Sequence, residues 1–425
     1  MSPHAEWARG WPVVLAGAFG MILSNLHAGA IGALMQPLEV QFGWSRAQIS
    51  ASIMIICICQ LMLGPFAGAL VDRVGPRRVA LLGVILFSGA LAAVGLSGPS
   101  ITSWYVAWAA VGITYPAVST VVWTMGISRC FERHRGLAFA VALSGVGVAN
   151  FTTPLIAVAA LPVFGWRGTF LALALGGLAI TFPLVWLLFH PGRIAKEEAL
   201  NEAGAALGLP GFTARKILQS IRFWGLALTM LLVSAAIGAL ALHFQPIMRD
   251  AGLSASQAAG YAALTGPALI VGRIFGGYLL DRLPTQYVAA VCFTLPAGVC
   301  AILLNYDASP TMSALAAVLL GVSFGVEGDV VAYMTARYFG LKRYGFAYAI
   351  LYGLYAFGFG VAPVIAGGAF DALGSYDAVL KLLIVGLLIS GVVAALIGRP
   401  PEFEAPQSAE SGVAPFPAAA PVQSR

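Results

Sequence analysis

The 425-residue chain is 60 % apolar and only 9 % charged, whereas a soluble domain of this length carries roughly 25 % charged residues. That balance excludes a soluble enzyme or binding domain. The formal net charge of +6 does not mark a nucleic-acid-binding protein, because the basic residues are distributed by membrane topology. The first apolar run covers about 11–35. His4 and Arg9 precede it, as in a secretory signal, but it is about twice the length of a signal's apolar core, and it is read as a retained first span. Further runs of similar length follow at about 47–71, 78–97, 102–128, 136–160, 168–189, 223–247, 256–280, 286–304, 311–335, 345–370 and 378–397. Each is long enough to cross a ~30 Å hydrocarbon core as a helix. The expected fold is an all-α membrane protein with twelve transmembrane helices in two pseudo-symmetric six-helix bundles.

The two bundles are one unit written twice. Gly68-Ala-Leu-Val-Asp72-Arg73 returns 209 residues later as Gly277-Tyr-Leu-Leu-Asp281-Arg282. The same step, without gaps, aligns Gln36-Pro37 with Gln245-Pro246, Ser45 with Ser254, Gln48 with Gln257, Gly136 with Gly345, Pro154 with Pro363 and Gly165 with Gly374. Parallel internal repeats of this kind point to a carrier that rocks two halves about a central site. With a cytoplasmic N-terminus, 18 of the 23 Lys and Arg fall on the cytoplasmic side, four (Arg46, Arg167, Arg249, Lys381) on the other, and Arg273 lies inside a span. This bias places both ends in the cytoplasm. The organisation is then a cytoplasmic N-terminus (1–10), an N-terminal bundle (11–189), a cytoplasmic linker (190–222), a C-terminal bundle (223–397) and a disordered cytoplasmic tail (398–425). The linker, with Lys196-Glu197-Glu198, is expected to include a short amphipathic surface helix. Five cysteines in or beside spans lack metal-ligand spacing and read as small buried hydrophobes.

Between the second and third spans lies Gly68-Ala-Leu-Val-Asp72-Arg73-Val-Gly75-Pro-Arg77-Arg78. Gly64 and Gly68 allow close helix approach, and Asp72 ends the helix among arginines with which it can make charge-assisted hydrogen bonds. Such bonds could latch an inner gate, and Asp281 and Arg282 repeat the pattern. This segment resembles the loop signature of the major facilitator superfamily, over about residues 10–399. Gly10-Trp11-Pro-Val-Val, Phe131-Glu-Arg133-His-Arg135-Gly136-Leu137-Ala138, Gly165-Trp166-Arg167 and Gly272-Arg273-Ile-Phe-Gly276 are similar to the bacterial monocarboxylate and oxalate–formate branch.

Arg273 lies eight residues before Asp281, or ~12 Å along a helix, and is well inside the membrane. A charge there costs at least ~2.5 kcal/mol on insertion scales, so it should face a wet cavity or a partner. The resemblance implies that this arginine grips a substrate carboxylate, a task to which a permanently charged, forked guanidinium is suited. A structural ion pair with Glu327 or Asp329, or snorkelling to the cytoplasm, is the competing reading. Glu327 and Asp329 are the only acidic residues within a span. They project about 200° apart, so one is expected to line the pathway and carry a proton, or both hold helices together. His27 and His243, in the first and seventh spans, are candidate substrate and proton groups respectively, with plain interhelical hydrogen bonding as the alternative. Tyr348, Tyr352 and Tyr355 form one stripe on the eleventh span, and Tyr115 lies near mid-depth in the fourth. These tyrosines are candidate substrate contacts or packing groups.

The chain departs from animal monocarboxylate carriers at Leu269, where they have an aspartate, and it lacks their lysine in the first span. It also lacks the eleventh-span lysine of oxalate–formate carriers. One midplane cation suits one carboxylate. The expectation is a proton-coupled secondary carrier of a small organic anion, a monocarboxylate and possible aromatic acid. It would sit in the bilayer of the bacterial inner membrane as a monomer, bind no nucleic acid, metal or cofactor, and not be an enzyme. The alternatives are organic-anion exchange, efflux of a neutral or cationic compound by proton antiport, or a non-transporting membrane receptor.

Overall fold

A computed structural model describes residues 3–131, 134–191, 211–340 and 342–401. The expected amphipathic helix near Lys196, most of the linker, the Glu132-Arg133 pair and the tail from 402 lie outside the described residues. The chain forms α1 (Pro3–Phe42), α2 (Arg46–Val74), α3 (Pro76–Val94), α4 (Ile101–Thr114), a 3-10 turn (Tyr115–Val118), α5 (Thr120–Ser128) and α6 (Arg135–Leu188). After the linker come α7 (Ala214–Leu218), α8 (Ile221–Asp250), α9 (Ala255–Ala263), α10 (Thr265–Arg282), α11 (Thr285–Leu304), α12 (Pro310–Phe339), α13 (Tyr344–Leu373) and α14 (Asp377–Leu396).

Eleven helical stretches among the described residues are long and apolar enough to cross a membrane. One of them, α6, has 54 residues, about 80 Å at 1.5 Å per residue, which is far too long for a single ~30 Å crossing. Gly165 divides it. Its φ of 64° and ψ of 178° are non-helical and cost glycine little for want of a Cβ. Two spans therefore share α6, and the total among the described residues is twelve, in two six-helix bundles.

Three boundaries differ from the sequence expectation. Helix α1 starts at Pro3, not near residue 11, because the N-terminal segment has a docking surface: Glu6 accepts from the His134 backbone N–H at 3.3 Å and lies 3.2 Å from His134 Nδ1. Trp7 also packs edge-on against Phe131 at 5.1 Å. The fourth span is broken at Tyr115–Val118, where Pro116 cannot continue the ladder of N–H donors. The eighth divides at Leu264, since Pro267 offers no N–H to the Ala263 carbonyl.

The repeat reappears in local structure. Ser45 and Ser254 each cap a helix in a full capping box with Gln48 and Gln257, satisfying otherwise orphaned N–H groups. Gly165 and Gly374 both take positive φ, 64° and 70°. Each bundle has its own core, one drawn from 13–189 with Leu242 added and the other from 217–397. The first is rich in aromatic rings: Trp104 and Phe170 pack edge-on against each other and each against Trp108 and Trp166.

The halves meet along α2 and α13, along α6 with α9 and α10, and along α1 and α8. Side chains added at Gly367, Gly360 and Gly353 of α13 would meet Arg46 and Ala47, Cys57 and Leu61 of α2 respectively. Beyond Leu61, side chains added at Gly68 or Gly345 would meet nothing within 4 Å. Among the described residues no hydrogen bond or ion pair joins the halves on the arginine-rich face, where Asp72, Arg77 and Arg282 lie. The polar contacts that join the halves gather on the Arg46 face.

Candidate functional site

The close approach of α10 and α12 follows from four glycines at four-residue spacing, Gly272 and Gly276 on one helix and Gly321 and Gly325 on the other. A Cβ at Gly272 would meet the Val322 backbone, one at Gly276 the Val326 side chain, and one at Gly321 the Thr265 backbone. One at Gly325 would meet the Leu269 carbonyl and lie 2.9 Å from Arg273 N. Small residues of this kind let membrane helices touch backbone to backbone. The seam sets Arg273 level with Gly325, two residues before Glu327.

Arg273 is half-buried. Glu327 is 2 % exposed. One of its oxygens, Oε1, accepts from the Tyr355 hydroxyl at 2.7 Å, while Oε2 is buried with no hydrogen-bond partner. A charge so placed has little to offset its desolvation, whereas a carboxyl carrying its proton is neutral. The side chain of Asp329 lies outside the described residues, as does that of Asp281.

The tyrosine stripe of α13 is a stacked ladder. Successive ring centroids run Tyr344–Tyr348 5.5 Å, Tyr348–Tyr352 5.9 Å, Tyr352–Tyr355 5.8 Å and Tyr355–Phe359 6.0 Å. Phe359 then meets Phe324 of α12 at 6.0 Å. Tyr352 is 46 % exposed, so the ladder runs from an accessible ring to the Glu327 carboxyl.

In the other half, His27 of α1 sits in a box of rings from Tyr115, Trp108 and Phe87, at centroid distances of 5.6, 6.3 and 6.4 Å. The 3-10 turn places Tyr115 there. The structure thus joins Tyr355 to Glu327 and Tyr115 to His27. It puts His243 elsewhere: buried on the Arg46 face, with Nε2 2.8 Å from the Pro363 carbonyl and Nδ1 2.8 Å from Tyr376 Oη.

Among the gate candidates, Asp72, Arg73 and Arg78 are exposed. Arg77 donates to the Trp186 carbonyl at 2.8 Å and stands 5.6 Å over its ring, within one bundle. Arg282 lies over Tyr278 at 4.4 Å. Gly75 turns from α2 into α3 with φ 88°. No group of three or more His, Cys, Asp or Glu among the described residues could hold a metal ion. The sequence reading missed the Arg46 cluster, whose residues look like ordinary loop charges one at a time.

The Major Facilitator Superfamily model matches residues 17–328. Monocarboxylate transporter 12 of Rattus norvegicus is 24 % identical over 423 residues, covering 92 % of this chain and 85 % of that protein. The uncharacterised MFS-type transporter YcxA of Bacillus subtilis (strain 168) is 26 % identical over 289 residues, covering 68 % of each. Among solved structures, a bacterial homologue of the human lysosomal transporter Spinster, inward-facing and unoccupied, superposes with a TM-score of 0.66 at 18 % identity. That match covers 91 % of this chain and 94 % of that one, and it shows a shared fold.

Proposed function

The chain belongs to the Major Facilitator Superfamily and is a transporter, not an enzyme, and on that premise we propose that it moves a small monocarboxylate by alternating access, coupled to protons. The observation that carries this reading is the α10–α12 seam, where Arg273 stands level with Gly325, two residues before a buried Glu327 held by Tyr355. Arg273 offers paired donors to a carboxylate. Glu327 is the proton site: in a cavity open to water it can release the proton, and when enclosed it is neutral. The names of the monocarboxylate relatives support this substrate class. Tyr352 and Tyr115 are the rings available to the body of the acid, with His27 behind Tyr115.

The Lys and Arg bias supports a cytoplasmic arginine-rich face and cytoplasmic termini in a bacterial inner membrane. In that orientation, the gathering of inter-half contacts on the Arg46 face and the exposure of Asp72, Arg73 and Arg78 support an inward-open reading with these latch residues released. The protein acts as a monomer, since each chain has its own central site.

The test is uptake of radiolabelled short-chain and aromatic monocarboxylates into proteoliposomes, with and without an inward proton gradient. Gradient-driven accumulation, lost in Arg273→Ala with the protein still folded, is expected. Accumulation that needs preloaded acid would instead establish exchange. Undiminished uptake by Arg273→Ala would overturn the site.

A further inference from the structure

The Arg46 face is closed by a cluster that the carboxylate site does not use. Arg46, on the first turn of α2, is 3 % exposed. Its Nε donates to Glu39 of α1 at 2.7 Å, and Nη1 and Nη2 donate to the two oxygens of Asp250, at the end of α8, at 2.5 and 2.8 Å. Nη1 also donates to Tyr376 Oη at 2.9 Å, and the guanidinium stands 3.7 Å over the Phe370 ring. Asp371 accepts from the backbone N–H groups of Arg46 and Ala47, both at 3.0 Å. A carboxylate of one half therefore caps the positive end of a helix in the other.

His243 ends this chain of bonds, and its protonation state follows from its partners. The Pro363 carbonyl can only accept, so Nε2 carries a hydrogen and donates to it. Tyr376 Oη accepts from Arg46, so its own hydrogen points at His243 Nδ1, 2.8 Å away. With Nε2 protonated, Nδ1 of the neutral ring accepts it. A neutral imidazole therefore makes every bond of this chain.

We infer that this cluster is the latch of the outer gate and that a proton on His243 Nδ1 releases it. The inference rests on the membrane orientation proposed for the carrier. A second ring N–H would face the Tyr376 hydrogen, and the phenol would have to turn that hydrogen away from the ring, toward the Arg46 guanidinium that donates to it. The groups facing His243 are Ser50 and Arg46 from α2, the Pro363 carbonyl from α13 and Tyr376 from the turn before α14. Beyond them lie Asp250 on its own helix, Glu39 on α1 and Asp371 on α13. These three carboxylates are engaged with Arg46 and the α2 N-terminus, and none bonds to the ring. Because the closed gate requires the neutral ring, acid shifts the equilibrium toward the open gate. The shift falls near and below about pH 6.5, where an exposed imidazole takes up its proton. An acidic exterior would hold the carrier open to the side from which acid and proton enter.

Electron–electron distance measurements between spin labels at Val40→Cys and Ala372→Cys, exposed positions near the cluster on opposite halves, test this without substrate. They are made in full-length protein with its native cysteines replaced by serine. A single short distance is expected at pH 7.5, with a longer population growing several-fold at pH 5. His243→Gln, whose amide can still donate to Pro363 and accept from Tyr376, should stay short at both pH values. Asp250→Asn should show the long distance at both. No long population at pH 5 in the parent protein overturns the switch. An unchanged pH response in His243→Gln assigns sensing to a carboxylate and overturns the role of His243. A short distance in Asp250→Asn overturns the latch. Monodisperse elution of each variant, with His243→Asn as the substitute should Gln not fold, keeps the comparison decisive. Failure of the monocarboxylate reading would leave these distances unaffected.

Discussion

Ser45 and Ser254 cap equivalent helices with the same partner three residues on, and Gly165 and Gly374 turn equivalent corners with φ near 64° and 70°. At the same 209-residue step, Arg273, Glu327 and Tyr355 of the C-terminal half stand opposite Gly64, Val118 and Val146 of the N-terminal half. Pro116, which breaks the fourth span, stands opposite Gly325, the closest point of the α10–α12 seam. What the halves share is backbone geometry: caps, corners and prolines that any six-helix unit of this shape needs. What they do not share is charge inside the membrane, which is costly enough to be kept only where it is used. A carrier with one central site needs one such set. The N-terminal half supplies rings around His27 instead.

The largest expected effect comes from moving the charge between halves. Arg273→Ala should reduce carboxylate uptake at least ~100-fold, consistent with ~3 kcal/mol for a lost charge-assisted contact to a charged group. Adding Gly64→Arg, the repeat-equivalent position, should not restore it. Restored uptake in proteoliposomes would mean that the halves are interchangeable. Next, Gly325→Leu forces a side chain onto the Leu269 carbonyl and Arg273 N. It should lower the thermal midpoint of the purified protein, at a cost of about 1–3 kcal/mol, and uptake should fall with it.

Tyr355→Phe removes the single hydrogen bond to Glu327, worth about 1 kcal/mol. It should move the pH dependence of uptake while leaving the melting temperature within a few degrees of the parent. A pH profile that does not move would separate Tyr355 from the proton site. The smallest pair is Ser45→Ala and Ser254→Ala. If the skeleton is truly repeated, each should cost about 1 kcal/mol. A several-fold difference between them would show that one cap does more, and Ser45, beside Arg46, is the one to watch.

The spans, the repeat and the polar stripe of α13 were legible because membrane helices advertise themselves by length and composition, and i, i+4, i+7 spacing fixes a helix face. Arg273 and Glu327 were legible because charge is rare within spans. The Arg46 cluster was not. Its residues come from three stretches far apart in sequence, Glu39 with Arg46, Asp250, and Asp371 with Tyr376, at helix ends where charges are ordinary, and only the closure of the halves brings the stretches together. His243 was visible as an intramembrane histidine, but its depth and partners were not, since the third dimension decides which face it meets. The break at Tyr115–Val118 was hidden for a different reason. Pro12, Pro37 and Pro65 all lie inside unbroken helices here, so Pro116 alone did not announce it. The Glu6–His134 contact, which extends α1 to residue 3, likewise joins segments 128 residues apart.

The most direct measurement of the central claim, that the C-terminal half alone holds the proton and carboxylate chemistry, is transport by Glu327→Gln in proteoliposomes. Two assays run side by side: accumulation driven by a proton gradient, and counterflow with the same monocarboxylate on both sides. Glutamine keeps the acceptor for Tyr355 and cannot exchange a proton. The account predicts that gradient-driven accumulation disappears while counterflow persists. Accumulation at the parent level would contradict it and place the coupling proton elsewhere.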